Sequence, residues 1–290
     1  MKVLVLGATG MLGYSLFRNL SKYSDLNVYG VVRSITKTKK YFKSYEHKLL
    51  LCKDANNFDL LNAAINKVMP DVVINCIGLI KQHQKSNESD LAIEINALLP
   101  HRIAKICNIA KCKLVHFSTD CCFDGKLGGY TELDSPNSTD LYGRTKILGE
   151  IDYNPHLTLR TSIIGHELIS KVSLIDWFLN QENDVTGYSK AIFSGLPTFY
   201  IAELLATKIL RAQNLTGLYH LSGKPIDKYS LLLLVSKLYE KNIKIYKDKR
   251  FSIDRSLNSS LLQKELQFIP KEWPELIEGM HNDYTEHYNF

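Results

Sequence analysis

Short apolar runs alternate with amphipathic stretches through the first half of the chain. The runs are rich in Val, Leu and Ile, which is typical of strands that are buried on both faces of a parallel sheet. The stretches between them repeat their apolar positions every three to four residues, as helices do. This alternation predicts βαβ units and an α/β fold with a doubly wound parallel sheet. The predicted strands are Val3–Leu6, Val28–Val32, Lys48–Leu51, Val72–Cys76, Lys113–Ser118 and Leu157–Arg160, and the predicted helices are Met11–Leu20, Phe58–Lys67, Glu94–Ala110 and Tyr142–Ile151.

Beyond about residue 165 the alternation becomes irregular. We predict that residues 1–165 form the sheet domain, that the chain returns to it around residues 193–224, and that residues 166–290 form mainly a small C-terminal lobe. An aromatic tail is expected to pack against the rest of the protein. The patterns behind this division are helices at Leu174–Leu179, Ile201–Ala212 and Tyr229–Glu240, glycine and proline at 194–197, and the tail residues Trp273, Tyr284 and Tyr288.

Composition narrows the class of protein. The 290 residues are 45% hydrophobic and 23% charged, as in an ordinary globular protein. Lys and Arg outnumber Asp and Glu by 36 to 30, and the formal charge of +6 mildly favours anionic ligands such as nucleotides. Because the basic residues are scattered, we expect no nucleic-acid partner. Because no apolar run reaches spanning length, we expect no membrane association and a cytoplasmic location.

The cysteines and histidines do not indicate a metal site or a disulfide framework. The cysteines lie mostly in apolar stretches without C-x-x-C spacing, so we expect reduced thiols and a reducing compartment. Isolated histidines without zinc-like spacing are expected to be solvated or satisfied in the core, and no metal is predicted. The residues concerned are Cys52, Cys76, Cys107, Cys112, Cys121, Cys122, His83, His101, His116 and His166.

A glycine loop joins the first predicted strand to the first predicted helix, with Gly7, Gly10 and Gly13 in G-x-x-G-x-x-G spacing. Glycine allows a tight turn and a close approach of the backbone to a pyrophosphate, and the helix that follows offers unpaired N–H groups. This context predicts a Rossmann dinucleotide site. A plain glycine turn is the alternative, because G-x-G-x-x-G is the usual spacing. The predicted contacts of the loop are Gly7, Thr9, Gly10, Met11, Leu12 and Gly13.

The second predicted strand is followed by Arg33 and Ser34. A protein that prefers NAD(H) usually carries Asp or Glu here, to bind the ribose 2′-hydroxyl group. An arginine can pair with a 2′-phosphate instead. We therefore predict NADP(H) as the cofactor, with NAD(H) as the alternative, although an exposed arginine at a strand end is also commonplace.

Tyr142 and Lys146 are four residues apart on a predicted helix and share one face of it. An ammonium group beside a phenol stabilises the phenolate and should lower the pKa of Tyr142, which would allow acid–base chemistry. The pair alone could equally lie on the surface or in the core. Together with the glycine loop and with Ser118 and Thr119 at the end of a later strand, it indicates a catalytic site.

Several segments then carry a resemblance that covers nearly the whole chain. They are Phe117-Ser118-Thr119-Asp120, Phe123-Asp124-Gly125, Tyr130-Thr131-Glu132, Tyr142-Gly143-Arg144-Thr145-Lys146 followed after two residues by Gly149-Glu150, Leu159-Arg160-Thr161-Ser162 and Asp254-Arg255-Ser256-Leu257-Asn258-Ser259. With the glycine loop, they resemble the extended short-chain dehydrogenase/reductase superfamily. Within it, the chain is similar to the dTDP-4-dehydrorhamnose reductase family.

The resemblance implies that Thr119, Tyr142 and Lys146 are the catalytic set of a reductase that uses NADPH on the 4-keto group of a nucleotide-diphospho-4-keto-6-deoxy sugar. Tyr142 would give its proton to the carbonyl oxygen, Thr119 would hydrogen-bond that oxygen, and Lys146 would hold the nicotinamide ribose. The other implied residues are Asp54, Ala55, Cys76, Ile77, Gly78, Asn96 and Thr161 for the cofactor, and Thr119, Asp120, Cys121, Ile163 and Arg255 for the sugar nucleotide.

The chain departs from the family pattern near the sugar. Cys121 and Cys122 stand where relatives commonly have Tyr-Val, and Ile163 and Ile164 replace a frequent aromatic pair. The sugar pocket is therefore expected to differ from that of the rhamnose enzyme. The segment Asn75-Cys76-Ile77-Gly78-Leu79-Ile80-Lys81-Gln82 resembles relatives that act on UDP-linked 2-acetamido-2,6-dideoxy-4-keto hexoses.

Two other functions stay open on the same fold. One is a sugar-nucleotide epimerase or dehydratase, although only Asp120 and Asp124 offer extra carboxylates near Tyr142. The other is a non-catalytic regulatory subunit that binds NADP(H), against which the intact Thr119, Tyr142 and Lys146 count. A homodimer is also open.

Overall fold

The first strand explains why the central sheet is covered on both sides. In the computed structural model, which describes residues 1–80 and 88–288, β1 (Lys2–Leu6) sends Val3 and Val5 into one hydrophobic core and Leu4 and Leu6 into another. Successive side chains of a strand point to opposite faces, so an entirely apolar strand needs helices on each side. The predicted α/β class with a doubly wound parallel sheet is confirmed.

Twelve strands are found in the described part of the chain. After β1 they are β2 (Asn27–Val32), β3 (Leu49–Leu51), β4 (Val72–Asn75), β5 (Lys113–Thr119), β6 (Leu157–Thr161), β7 (Ile163–Ile164), β8 (Val185–Phe193), β9 (Leu196–Pro197), β10 (Gly217–His220), β11 (Ile226–Asp227) and β12 (Ile245–Asp254). Seven of them pair in parallel in the order β10-β6-β5-β4-β1-β2-β3. A three-stranded sheet β11-β8-β12 and the pair β7-β9 complete the strand pairing of these residues.

Helices cover the two faces of the large sheet. They are α1 (Met11–Leu20), α2 (Ile35–Thr38), α3 (Phe58–Val68), α4 (Ser89–Ala92), α5 (Leu99–Ala110), α6 (Leu141–Leu148), α7 (Leu174–Leu179), α8 (Thr198–Thr207), α9 (Lys228–Leu238), α10 (Ser260–Leu266) and α11 (Trp273–His287). Helices α1, α8 and α11 contribute to the core around Val3, whereas α3 and α5 contribute to the core around Leu4. Because the seven strands of this sheet are parallel, their carboxyl ends lie at the same edge of the sheet, which is where sheets of this kind bind ligands.

Several predicted elements need correction at their boundaries or were not predicted. The helix predicted over Glu94–Ala110 is a π-helical segment at Ile93–Leu98 followed by α5, and the helix predicted over Ile201–Ala212 ends as α8 before a 3-10 turn at Ile209–Arg211. Strands β8 and β12 and helix α11 were missed. Strand β12 lies at a sheet edge, where much of the strand is exposed and many of its side chains are charged, so it lacks an alternating apolar pattern.

The second half of the chain packs onto the first in several places. Strand β10 pairs with β6 in the large sheet, and α8 packs against α1. The Tyr14 hydroxyl group of α1 donates a hydrogen bond to the His287 carbonyl oxygen at 2.9 Å, which ties the end of α11 to the sheet domain. The division at residue 165 thus stays a prediction, because the later segments complete a core that the first 165 residues begin.

No helix within residues 1–80 and 88–288 is long and apolar enough to cross a membrane. Over the same ranges, no three His, Cys, Asp or Glu side chains cluster as a metal site would require. All six cysteines are free thiols, of which Cys76 and Cys121 are half-buried and the other four are buried. His83, Lys81 and Gln82 lie outside the described residues.

Candidate active site

The glycine loop between β1 and α1 is shaped by close backbone contacts. Gly7 has a φ of +76°, which favours glycine, and its carbonyl oxygen accepts the Gly10 N–H at 3.0 Å. A Cβ atom on Gly13 would lie 2.1 Å from the Gly7 carbonyl oxygen, so α1 can start here only with glycine. Gly10 is the N-cap residue of α1, and no side-chain hydrogen bond caps the helix there. A Cβ atom on Gly10 would lie 3.6 Å from the nearest atom, the Gly7 carbonyl oxygen. The start of the helix therefore has open space beside it, and its N–H groups fit a pyrophosphate.

The flanks of the loop are formed by residues after β2 and β3. Arg33 is exposed, and within the described residues no ion pair or hydrogen bond of its side chain is found. Ser34 caps α2, where its hydroxyl oxygen accepts the Lys37 N–H at 3.4 Å. Asp54 is exposed and its carboxylate accepts the Asn56 N–H at 2.9 Å, while Ala55 packs at the edge of the second core. The contact residues Thr9 and Met11 of the glycine loop are half-buried, whereas Leu12 is buried.

The segment after β4 is held from behind by Asn96. The side-chain oxygen of Asn96 accepts the Leu79 N–H at 2.8 Å, and its amide donates to the Leu79 carbonyl oxygen at 3.0 Å. The Ile77 N–H is bound by the Asn75 side chain at 3.0 Å. Cys76, Ile77 and Gly78 thus form a fixed turn beside the glycine loop, and Asn96 supports this turn through Leu79.

Thr119 lies beside Tyr142, close enough for its hydroxyl group to act on the pKa of the phenol. Thr119 is the last residue of β5, and its hydroxyl oxygen also accepts the Cys121 N–H at 3.1 Å. Tyr142 lies in the first turn of α6, which Asp140 caps by accepting the Gly143 N–H at 2.8 Å. Gly143 is required at this position because a Cβ atom would lie 2.4 Å from the Cys121 carbonyl oxygen.

The pKa of Tyr142 is raised above its usual value, contrary to the expectation that Lys146 lowers it. Burial is the main cause, the neighbouring Cys121 and Asp120 raise the pKa further, and the Thr119 hydroxyl group acts in the opposite direction. The sequence showed only that Tyr142 and Lys146 share a helix face, and it could not show how deeply the phenol is buried. Tyr142 is consequently a protonated phenol at neutral pH.

Lys146 is buried below Tyr142, one turn further along α6. Its Nζ donates a hydrogen bond to the Phe117 carbonyl oxygen at 2.7 Å, which fixes the ammonium group against β5. Burial lowers the pKa of Lys146 to about 8, although the Glu150 carboxylate and, at a pH high enough to ionise it, the Cys76 thiol act to raise it. The ammonium form therefore predominates at neutral pH but is lost in mildly alkaline solution.

Four polar groups lie together on the other side of Tyr142. Burial raises the pKa of Asp120, which Arg255 and Lys228 partly offset by their positive charges. Arg255 donates to the Phe123 carbonyl oxygen at 2.9 Å, and its Nη1 lies 3.6 Å from the Cys121 sulfur. The Lys228 ammonium lies 4.7 Å from the centre of the Phe193 ring. Asp120, Cys121 and Arg255, which the resemblance implied, are thus neighbours, and Lys228 is an additional cation.

Thr161 and Ile163 stand at the end of β6 and the start of β7. Thr161 is the register partner of Thr119 in the neighbouring strand, and its hydroxyl group donates to the Ser162 carbonyl oxygen at 3.1 Å. Ile163 is half-buried and pairs with Leu196. These two residues close the same edge of the sheet.

The RmlD substrate binding domain family matches residues 1–285. The chain belongs to this family. Its predicted membership of the extended short-chain dehydrogenase/reductases that resemble dTDP-4-dehydrorhamnose reductase is thereby confirmed.

Named relatives of this family member include two kinds of protein. The chain is 30% identical over 167 residues to the dTDP-4-dehydrorhamnose reductase of Salmonella typhimurium, a match over 56% of this chain and 51% of that protein. For the enzyme of the same name from Escherichia coli, the identity is 27% over 76% of this chain and 72% of the relative. The methionine adenosyltransferase 2 subunit beta of Danio rerio is 26% identical over 82% of this chain and 74% of its own. The match thus spans only about half of the Salmonella enzyme.

Solved structures share the fold of this family member. A dTDP-4-dehydrorhamnose reductase from Bacillus anthracis in complex with NADP superposes with a TM-score of 0.78 at 20% identity, over 97% of this chain and 99% of that one. A UDP-Glc/GlcNAc 4-epimerase from Campylobacter jejuni has a TM-score of 0.76 at 12% identity, over 98% and 99% of the two chains. Reductase and epimerase share one architecture, so the fold does not distinguish their reactions.

Three charged residues of the site region were not predicted as site residues. Lys228 begins α9, in a part of the sequence that gave only a helix pattern. Glu150 and Arg160 were recognised as parts of family motifs without a role, yet they form an ion pair behind Lys146. A lysine at a helix start and a charged residue inside an apolar strand are the signals that could have drawn attention to them.

Proposed function

We propose that this protein is an NADP(H)-dependent oxidoreductase that reduces the 4-keto group of a nucleotide-diphospho-4-keto-6-deoxy sugar. The observation that carries the proposal is that Thr119, Tyr142 and Lys146 lie together at the carboxyl edge of the sheet, with Thr119 ending β5 beside Tyr142 and Lys146 one helical turn further along α6. The relatives named dTDP-4-dehydrorhamnose reductase support the same reaction.

The residues at the start of α1 fit the cofactor. The open space at Gly10 and the uncapped start of the helix accommodate a pyrophosphate, and the exposed Arg33 can pair with a 2′-phosphate. The turn of Cys76, Ile77 and Gly78 would line the cofactor between this loop and Lys146. Bound NADPH supplies the hydride that the ketone carbon accepts.

The protein supplies the proton and positions the ketone. Because Tyr142 is protonated at neutral pH, it can transfer its phenolic proton to the ketone oxygen as that oxygen gains electrons, and the product is a secondary alcohol. The Thr119 hydroxyl group holds the same oxygen by a hydrogen bond. Tyr142 becomes a phenolate once it has given up its proton. The positive charge of Lys146 stabilises this phenolate and so lowers the free-energy barrier of the reduction.

The sugar nucleotide would bind on the side of Arg255 and Lys228. Both cations act on Asp120 beside the catalytic pair, and a diphosphate is an anion that such a pair can bind. Cys121 and Ile163 are smaller than the aromatic residues common at these positions in the family, so we infer that a substituent larger than hydroxyl could be accepted at C2 of the sugar. A UDP-linked 2-acetamido-2,6-dideoxy-4-keto hexose and dTDP-4-dehydrorhamnose are the two substrates to compare.

The test is to mix the purified protein with NADPH and each of these 4-keto sugars while following the absorbance of the reduced cofactor. Loss of one NADPH for each new sugar product is the expected result. Unchanged absorbance with a rearranged sugar would favour an epimerase or dehydratase. NADPH binding without any turnover would favour a non-catalytic regulatory subunit; one relative of the chain is itself named as a subunit, the methionine adenosyltransferase 2 subunit beta.

A further inference from the structure

A buried ion pair lies directly behind the catalytic helix. Arg160 donates two hydrogen bonds to Glu150, from Nε to Oε1 at 2.8 Å and from Nη2 to Oε2 at 2.7 Å. The side chains are only 5% and 9% exposed. Moving a charged group from water into the protein interior costs several kcal/mol for each ion. A buried ion pair therefore contributes little net stability to the fold. Its position suggests another role.

The pair is attached to the elements that carry the active site. The Ser118 hydroxyl group donates to Glu150 Oε1 at 2.6 Å. Ser118 lies in β5 between Phe117, whose carbonyl oxygen binds the Lys146 ammonium group, and Thr119. Glu150 itself follows α6 four residues after Lys146. One carboxylate is therefore held by β5 and β6 at a fixed place near Lys146.

Three ionisable groups act on Lys146 among the residues that the structure describes. They are Glu150 at the end of α6, the Cys76 thiol after β4 and the His116 imidazole of β5. Burial raises the pKa of Cys76 and lowers that of His116, with Lys146 adding to the second shift, so both groups are neutral around pH 7. Glu150 is thus the member of the three that carries negative charge.

We propose that Glu150, fixed by Arg160 and Ser118, is a positioning residue that keeps Lys146 in its ammonium form beside Tyr142. The role of that ammonium group in catalysis rests on the proposed function, whereas its charge state can be measured without any reaction. A carboxylate in a region of low dielectric favours a nearby cation, which opposes the cost of burying Lys146.

The first test follows the titration of Lys146 by NMR in protein with ¹³C-labelled lysine, with Lys146→Arg used to assign its signal. In the natural protein the midpoint is expected near pH 8. In Glu150→Gln it should fall by about one pH unit. Because this variant leaves Arg160 unpaired and could fail to fold, Glu150→Gln with Arg160→Met removes both charges and should show the same direction.

Asp283→Asn is the matched control. It also removes one buried carboxylate, which binds Asn19 on the far side of α1, and it should leave the Lys146 midpoint unchanged. The proposal would be overturned if the Lys146 midpoint kept its natural value in Glu150→Gln. If Glu150→Gln does not fold, the same criterion applies to the double variant.

Turnover gives an independent second measurement. If the protein reduces a 4-keto sugar, the fall of kcat/KM in alkaline solution should move to lower pH in the Glu150 variants by the same amount as the NMR midpoint. A shifted NMR midpoint with no turnover in any variant would leave the role of Glu150 standing and overturn the proposed function instead.

Discussion

Among single residues, the burial of Tyr142 and Lys146 matters more than their mutual spacing. The phenol, which is protonated at neutral pH even at the usual pKa of 10.0, holds its proton more firmly because burial raises its pKa, whereas the ammonium group loses its proton more easily because burial lowers its pKa to about 8. Both shifts have the same origin, since each disfavours the charged form in a region poor in water. Such a site favours proton donation by Tyr142, as reduction of a ketone requires.

Replacing Tyr142 by phenylalanine removes that proton. Turnover of the 4-keto sugar should fall by about two to four orders of magnitude, the usual contribution of a positioned acid. NADPH binding, measured by its fluorescence, should be retained. Tyr153→Phe is the control, because the hydroxyl group of Tyr153 contacts His101 at the surface. Near-normal turnover in Tyr142→Phe would contradict the catalytic assignment.

The charge at Arg33 should decide between the two nicotinamide cofactors. In Arg33→Asp, the loss of a charge-assisted contact to the 2′-phosphate should weaken NADPH binding roughly 10- to 100-fold, and NADH binding much less. Titration calorimetry with both cofactors measures the difference. Lys37→Asp reverses a nearby charge on α2 and should affect NADPH only slightly. Equal losses for NADPH and NADH in Arg33→Asp would rule out the 2′-phosphate contact.

At the scale of elements, the glycine loop and α6 depend on contacts that only glycine allows. A Cβ atom on Gly149 would lie 1.9 Å from the Asn96 carbonyl oxygen, so the end of α6 packs directly on the π-helical segment. The sequence predicted the glycine loop, α1 and α6 because their local patterns are strong. It did not predict the close approach of α6 to Asn96, which depends on residues more than fifty positions apart.

Two substitutions in the glycine loop should have different consequences. Gly13→Ala places a Cβ atom 2.1 Å from the Gly7 carbonyl oxygen and should lower the free energy of unfolding by about 1–3 kcal/mol. Gly10→Ala meets no atom closer than 3.6 Å and should keep the stability. Its methyl group would nevertheless occupy the space proposed for the pyrophosphate, so NADPH binding should weaken. Denaturant unfolding and NADPH fluorescence measure the two effects, and intact NADPH binding in Gly10→Ala would contradict the predicted site.

For the whole molecule, the C-terminal half completes the core of the first half. The rings of Tyr288 and Tyr14 meet edge to face with their centres 5.2 Å apart, and α8 lies against α1 in the same core. These contacts join residues more than 170 positions apart, so no local pattern could indicate them. Removing α11 would expose this surface, and the helix is therefore part of the fold rather than a tail.

Buried histidines should make the whole fold sensitive to acid. Burial and the charge of Arg160 lower the pKa of His220 to about 4, and burial also lowers the pKa values of His116 and His156. The unfolded chain then binds protons that the folded chain does not, so stability should fall as the pH decreases below about 6.5. For His220 the loss between pH 7 and pH 5 is on the order of 2 kcal/mol.

Thermal unfolding between pH 7 and pH 5 checks this expectation. The Tm should decrease over that range, and His156→Gln should decrease it less steeply because one such group is removed. His47→Gln changes an exposed histidine and should leave the slope as it is. A Tm that does not change from pH 7 to pH 5 would show that these histidines are protonated in the folded protein.

The sequence by itself determined the α/β class, the order of the main βαβ units, the glycine loop and the residues Thr119, Tyr142 and Lys146. These features depend on local periodicity, on turns and on short motifs, which a sequence displays directly. Tertiary structure alone decided that the pKa of Tyr142 is raised rather than lowered, that Lys228 joins Arg255 beside Asp120, and that Glu150 and Arg160 are buried together. Charge states and ion pairs depend on burial and on neighbours from distant segments, and only the folded chain brings those together.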